Sequence, residues 1–161
     1  MHIEKNICEN VIRTLLNIKR KPKEHLRTRL HSINIGPNKV FLLHAKFSLL
    51  VKEKDIFCRV LKGVKVPESY GTNVSRCVNL EQTKILGLKS HDFHILMQDW
   101  LKVAIQKVLS KEVTRVLMKL SSFFKILCSK VIIIEEFESF DVEIALILCE
   151  LERIFPPFFL S

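Results

Sequence analysis

The side chains best equipped for chemistry gather in Leu88-Lys89-Ser90-His91-Asp92-Phe93-His94, at the start of an apolar-periodic segment that runs to about Leu109. Imidazole and carboxylate are suitable ligands for zinc or iron, so His91, Asp92 and His94, with Cys77 near in sequence, give one reading of the stretch as a metal site. Against it, His91 and Asp92 are adjacent, and no second ligand pair has the usual spacing. The competing reading is structural: Ser90 is the N-cap of a helix, Asp92 sits in its first turn at the positive end of the dipole, and the histidines pack. We adopt the capping reading and expect no metal, no other cofactor and no catalytic residue. A cysteine nucleophile assembled from Cys77 or Cys58 with His91 has no support in the spacing.

Apolar residues recurring at three- and four-residue steps predict the helices that position this stretch. Ile3, Ile7, Cys8, Val11, Ile12, Leu15, Leu16 and Ile18 predict a helix that stops near Lys19, because a proline follows at Pro22 and the residue before a proline disfavours helical geometry. Pro22 suits the first position of a short second helix reaching about Leu30. Val51, Ile56, Phe57, Val60 and Leu61 predict another, ended by Gly63. From Ser90 the stripe continues through Ile95, Leu96, Trp100, Leu101 and Val108, and Ser110 caps the next helix. Two helices meeting almost without a loop imply a hairpin or a sharp corner that buries Trp100 against Phe123 or Phe124. A last helix runs from about Ile134 to Ile154 and ends at Pro156-Pro157. It carries acids from Glu135 to Glu152 and no base, so a strongly negative outer face is expected. Asn34 to Asn38 reads as a turn, Val40 to Leu50 as a short strand, an extended segment or a helix lead-in, and Ser75 to Leu88 as a small hairpin or irregular structure. The expected fold is mostly α: a compact bundle of about five to six helices, with irregular or short-strand segments around residues 31–50 and 72–88.

A chain of 161 residues with 4 glycines and 5 prolines is sized for a single core and poor in turn residues, which favours helices. The net charge of +9 is uneven: residues 1–80 hold 16 Lys and Arg against 6 Asp and Glu, and residues 81–161 hold 10 against 11. A basic half attracts nucleic acid or another polyanion without specifying one. Lys19, Arg20, Lys21 and Lys23, with Arg27 and Arg29 beyond, read either as a phosphate-binding or nuclear-import patch or as a solvated loop. No aromatics are interleaved with them, so base stacking is not indicated. Five widely spaced cysteines without a C-x-x-C pair read as free thiols of an intracellular protein, and Cys128 and Cys149 fall on apolar helix faces where burial is expected. The longest apolar run is far shorter than the ~18 residues that a membrane span needs, so a soluble protein is expected. Phe155 to Leu160 reads as a partner-binding anchor, a segment folded on the core, or the raw end of a domain.

Met1-His2-Ile3-Glu4-Lys5-Asn6-Ile7-Cys8-Glu9-Asn10, followed by Thr14-Leu15-Leu16-Asn17-Ile18, resembles a segment late in the catalytic domain of plant transposases of the En/Spm (CACTA) type. The resemblance resumes at Lys54-Asp55-Ile56-Phe57-Cys58, Val64-Lys65-Val66-Pro67 and Asn73-Val74-Ser75-Arg76-Cys77. It continues through Gly87-Leu88-Lys89-Ser90-His91-Asp92, His94-Ile95-Leu96-Met97-Gln98, Lys111-Glu112-Val113, Leu127-Cys128-Ser129-Lys130 and Ile154-Phe155-Pro156-Pro157. These later blocks look like the helical domain of unknown function that follows the catalytic domain in such proteins. The resemblance implies two segments: residues 1–47 as the basic end of the catalytic domain, and 48–161 as the helical domain, truncated. Such transposases resemble RNase H-like enzymes whose metal ions are held by acids, one of them in an Asp-x-x-His signature. His2 matches its histidine, and the aspartate would fall before Met1. Two-metal phosphoryl transfer needs several converging carboxylates, so a fragment without catalytic activity is expected, nuclear and retaining DNA binding or protein interaction. The alternative is an interaction or dimerisation module that uses the acidic last helix and the apolar C-terminus. The family-signature residues are His2, Glu4, Lys5, Asn6, Ser90, His91, Asp92 and His94. Leu50 stands where the family tends to have a capping Thr, so the capping box before Glu53 is expected to be lost.

Overall fold

The apolar stripe near the start of the chain folds into helix α1 (His2–Leu15) in the computed structural model, which describes residues 2–18, 32–34, 40–42, 47–65, 73–129 and 134–155. The helix ends before Lys19. Asn17 adopts a left-handed φ of 51°, the Ile18 N–H returns to the Arg13 carbonyl at 2.9 Å, and the Asn17 N–H returns to Thr14 at 3.2 Å. This Schellman closure satisfies the last carbonyls locally, so the distant proline is not what stops the helix. The helix expected over 22–30 and residues 35–38 of the expected turn lie outside the described residues, while Asn34 ends a short strand.

Helix α2 (Val51–Lys62) has the expected limits, and the Gly63 N–H closes on the Arg59 carbonyl at 2.9 Å. Its N-terminal box is half kept rather than lost. Glu53 Oε2 accepts the Leu50 N–H at 2.7 Å, while the Leu50 side chain has no acceptor to return. The two short-strand segments are two small antiparallel pairs. β1 (Ser32–Asn34) pairs with β2 (Val40–Leu42), Ile33 opposite Phe41, and β3 (Val78–Asn79) pairs with β4 (Lys84–Ile85), Val78 opposite Ile85. A 3₁₀ turn, Val74–Cys77, leads into β3, and the Lys62 ammonium ties it to α2 by donating to the Ser75 and Val78 carbonyls at 3.0 and 3.1 Å.

A broken helical rod follows: α3 (Ser90–Ile95), a π turn (Leu96–Trp100) and α4 (Leu101–Ile105). Its N-cap is Lys89, not Ser90. Lys89 holds the extended conformation, and the Asp92 carboxylate, three residues on, reaches back to accept the Lys89 N–H at 2.7 Å. An acid at the third helical position performs this as well as a serine at the cap. In the π turn the Leu101 N–H reaches the Leu96 carbonyl five residues back. The buried Ser121 hydroxyl of helix α5 (Lys111–Leu127) donates to the Met97 carbonyl of that turn and lies 3.3 Å from that of Gln98.

Ser110 caps α5 as expected, its hydroxyl accepting the Val113 N–H at a long 3.5 Å. Helix α6 (Ile134–Ile154) lies against α5. The rings edge-on to Phe123 are Phe124 and Phe140, each with centroids 5.7 Å away, and the expected partner Trp100 is only half-buried. The fold is mostly α, as expected, with the rod packed against α1, α2 and α5. One hydrophobic core joins Cys8, Leu15, Phe57, Met97, Leu117 and Ile147. Residues before and after position 47 therefore share it, and the Leu49 N–H is bonded to the Leu15 carbonyl at 2.9 Å.

The α5–α6 seam carries a charge clasp. Lys119 Nζ lies 2.9 Å from Glu150 Oε1, and Arg115 is 3.8 Å from the other oxygen. The Lys119 hydrogen bond holds the Glu150 carboxyl below its ordinary value of 4.5. A carboxyl lowered in the folded state stabilises the fold above its unfolded value, and that contribution disappears as pH falls through the folded value. Glu150→Gln should therefore be less stable than the parent at neutral pH, and the two should converge as pH falls from about 5 to about 2, as followed by thermal unfolding in circular dichroism.

Candidate functional site

Three side chains far from Glu4 in sequence meet at its carboxylate. Glu4 is buried on α1, on the same face as Cys8, Val11 and Leu15. Its Oε2 lies 2.7 Å from Nδ1 of His94, its Oε1 accepts from Gln98 Nε2 at 2.9 Å, and the Cys128 thiol lies 3.7 Å from Oε2. The Gln98 amide nitrogen also lies 3.1 Å from His94 Nδ1 and 3.4 Å from the Phe124 carbonyl. His94 and Gln98 are four apart and share a helical face. The π turn begins between them, and Ser121 anchors its carbonyls to α5.

An ionised carboxylate is costly to bury unless its oxygens are engaged. Here imidazole, amide and thiol all point donor-capable atoms at the two oxygens, so the site is a satisfied polar hub between α1, the rod and the end of α5. Glu4, His94 and Cys128 are also the group of metal-capable side chains that converges among the described residues, their ligand atoms within 4.8 Å of one another. The set considered from sequence, His91, Asp92 and His94 with Cys77, is not such a group. His91 is exposed, its ring nearly parallel to that of His94 with centroids 6.1 Å apart, and Asp92 is the helix cap.

The other signature residues divide by role. Lys5 Nζ sits 5.9 Å from the Phe93 ring centroid, a cation–π contact. His2, Asn6 and Ser90 are exposed. Lys19, Arg20, Lys21, Lys23, Arg27 and Arg29 lie outside the described residues. Sequence reasoning missed Gln98 and Cys128 as site residues and Glu4 as a buried one. Two signals were there: Glu4 falls on the stripe of Cys8, Val11 and Leu15, whereas Ile3 is 72% exposed, and Gln98 interrupts the apolar face of the rod at four residues from His94.

Burial pushes the Cys8 thiol well above the ordinary range and raises Cys58. Cys77 and Cys128 are raised too, first by desolvation and then by the nearby Asp92 and Glu4 carboxylates. Cys128 and Cys149 are exposed, which corrects the expected burial: Cys128 follows the last turn of α5, and Cys149 faces outward on α6. Among the described residues, no helix is long and apolar enough to cross a membrane.

A second feature lies at the α4–α5 corner. A shallow groove between the α4–α5 corner and α6 is lined by Leu109, Lys111, Arg115, Met118, Lys119 and Glu143. No family model matches this chain, and no curated protein or solved structure does either. The fold and the site define a class in physical terms: a helical bundle closed over a buried carboxylate hub.

The hub makes an energetic prediction. His94→Ala leaves the buried Glu4 carboxylate short of its closest partner and should lower stability by about 1–3 kcal/mol. The double variant Glu4→Leu/His94→Leu should lose less than the sum of the two single Leu changes, because both polar groups leave together. Urea unfolding of the four chains measures the difference, and additive losses would mean the pair is uncoupled.

Proposed function

We propose that this chain is a helical module derived from an En/Spm-type transposase, without catalytic activity of its own, that works by protein recognition through α6. The observation that carries the recognition reading is a second apolar row on that helix. Phe140, Ile147 and Leu151 face the core, yet Val142, Ala145, Leu146 and Cys149 are exposed at three- and four-residue steps, with Val142 at 65% and Leu146 at 59% exposure. A row at this spacing is the pattern by which helices pack on one another. The outer face is therefore mixed rather than simply acidic. A second copy of the chain is the simplest partner, because a two-fold axis lets the same row meet itself. Phe155, the first residue of the apolar C-terminal segment, is buried against Phe47 and takes no part in this surface; residues 156–161 lie outside the described residues.

Two observations support the rest of the reading. The converging group of metal-capable side chains among the described residues contains a single carboxylate, whereas two-metal phosphoryl transfer uses several. The blocks that carry the resemblance also meet in space, since Glu4, His94, Gln98 and Cys128 come from three of them and contact one another. DNA binding is the second reading, favoured by Lys107, Lys111 and Arg115, which are exposed around the α4–α5 corner, and by the basic sequence of residues 19–29.

Sedimentation velocity at micromolar concentration should show a dimer that Leu146→Glu converts to monomer. A monomer at every concentration removes the self-recognition reading. In the DNA arm, duplex affinity should fall steeply with added salt, and reversing Arg20, Lys21 and Lys23 to Glu should flatten that dependence by up to about three units of slope. Affinity indifferent to both removes DNA as a partner. Metal-dependent cleavage of duplex DNA by the purified chain would overturn the non-catalytic reading.

A further inference from the structure

The geometry points to a transition-metal site at the hub, formed by Glu4 Oε2, His94 Nδ1 and Cys128 Sγ, and suited to a borderline divalent cation of the Zn²⁺ or Co²⁺ kind. The sulfur lies 3.7 Å and the imidazole nitrogen 2.7 Å from the same carboxylate oxygen, and all three atoms fall within 4.8 Å of one another. A tetrahedral cation with bonds of about 2.0–2.3 Å holds its ligand atoms roughly 3.2–3.7 Å apart. The Cys–Glu edge already has that length, and the His–Glu edge needs to open by about half an ångström.

The chemistry of the set is selective. Thiolate and imidazole favour zinc-like ions over the all-oxygen ligation that Mg²⁺ and Ca²⁺ prefer. Binding releases the thiol proton to solvent and leaves His94 neutral, so one thiolate and one carboxylate balance the two positive charges. Gln98 donates to Glu4 Oε1 and thereby fixes the carboxylate with Oε2 turned toward His94 and Cys128, an outer-shell role. Access is open because Cys128 is exposed and the His94 side chain is 26% exposed, which leaves the fourth position to water. Hydrogen bonding alone accounts poorly for the cysteine: His94 and Gln98 already engage both oxygens, and a thiol is a weak donor. The site is independent of the α6 surface, so either can fail without the other.

The test uses the full chain, reduced and freed of metal by chelation, then titrated with Co²⁺. The expected result is about one bound equivalent, with a thiolate-to-cobalt charge-transfer band that Zn²⁺ abolishes by displacement. Cys128→Ser, at an exposed position and checked for retained helicity, should remove the band. Cys149→Ser should leave it intact, and Gln98→Leu should weaken affinity by about 10- to 100-fold. No band in the folded parent chain overturns the proposal. So does a band that survives Cys128→Ser or disappears with Cys149→Ser.

Discussion

A charged carboxylate in the interior is the constraint around which this fold is arranged. Glu4 exposes 3% of its side chain, and moving an ion of this kind out of water costs several kcal/mol unless its oxygens are met. The partners that meet it are not neighbours: Gln98 is 94 residues away in sequence and Cys128 is 124. Satisfying one buried acid therefore requires the first helix, the central rod and the end of α5 to be in place together. Apolar packing supplies the larger share of the driving force, but it tolerates sliding and rotation of helices. A carboxylate with directed donors does not, so the hub sets the rotation of α1, with Glu4 inward and Ile3 outward.

The rod meets this demand through an irregularity. A uniform α-helix drifts in the face it presents, whereas the π turn at Leu96–Trp100 inserts an extra residue into the ladder. That insertion lets α3 present His94 and the π turn present Gln98 to α1, while α4 presents Leu101, Ala104 and Ile105 to the core. The carbonyls displaced from the ladder would be unsatisfied in the interior. Ser121 takes them up from α5, so the hub and the bulge are held by the same helix. A change at Ser121 would be felt at Glu4 without touching it.

The sequence was most legible where a single local rule decides the outcome. Helical periodicity marked α2, α5 and α6 almost to the residue, because a buried face repeated over several turns has one solution. Local capping was half legible: Ser110 does cap α5, but Asp92 overrode Ser90 since a carboxylate three residues inside a helix reaches back to the same N–H. Exposure was misjudged where a helix has apolar residues on two faces. Cys149 sits among Leu146, Leu148 and Leu151, and periodicity alone does not say which row meets the core. The hub was not legible as a site, because no local rule links Glu4 to His94 or Cys128. Its members carried only a positional hint, as polar residues on otherwise apolar faces.

The charge on α6 constrains what its outer row can do. Asp141, Glu143 and Glu152 are exposed on the same helix as Val142 and Leu146, so two copies meeting there would bring like charges together while burying apolar side chains. Screening by salt weakens the repulsion and leaves the hydrophobic term intact, and apolar association of this kind strengthens as ionic strength rises. A contact between the basic residues and DNA has the opposite sign, because counterions released from the phosphates are harder to release into concentrated salt. The two modes of recognition proposed for this chain therefore respond to ionic strength in opposite directions. The acids also limit the affinity of the apolar row at low salt, which makes the surface suited to reversible pairing rather than to a permanent interface.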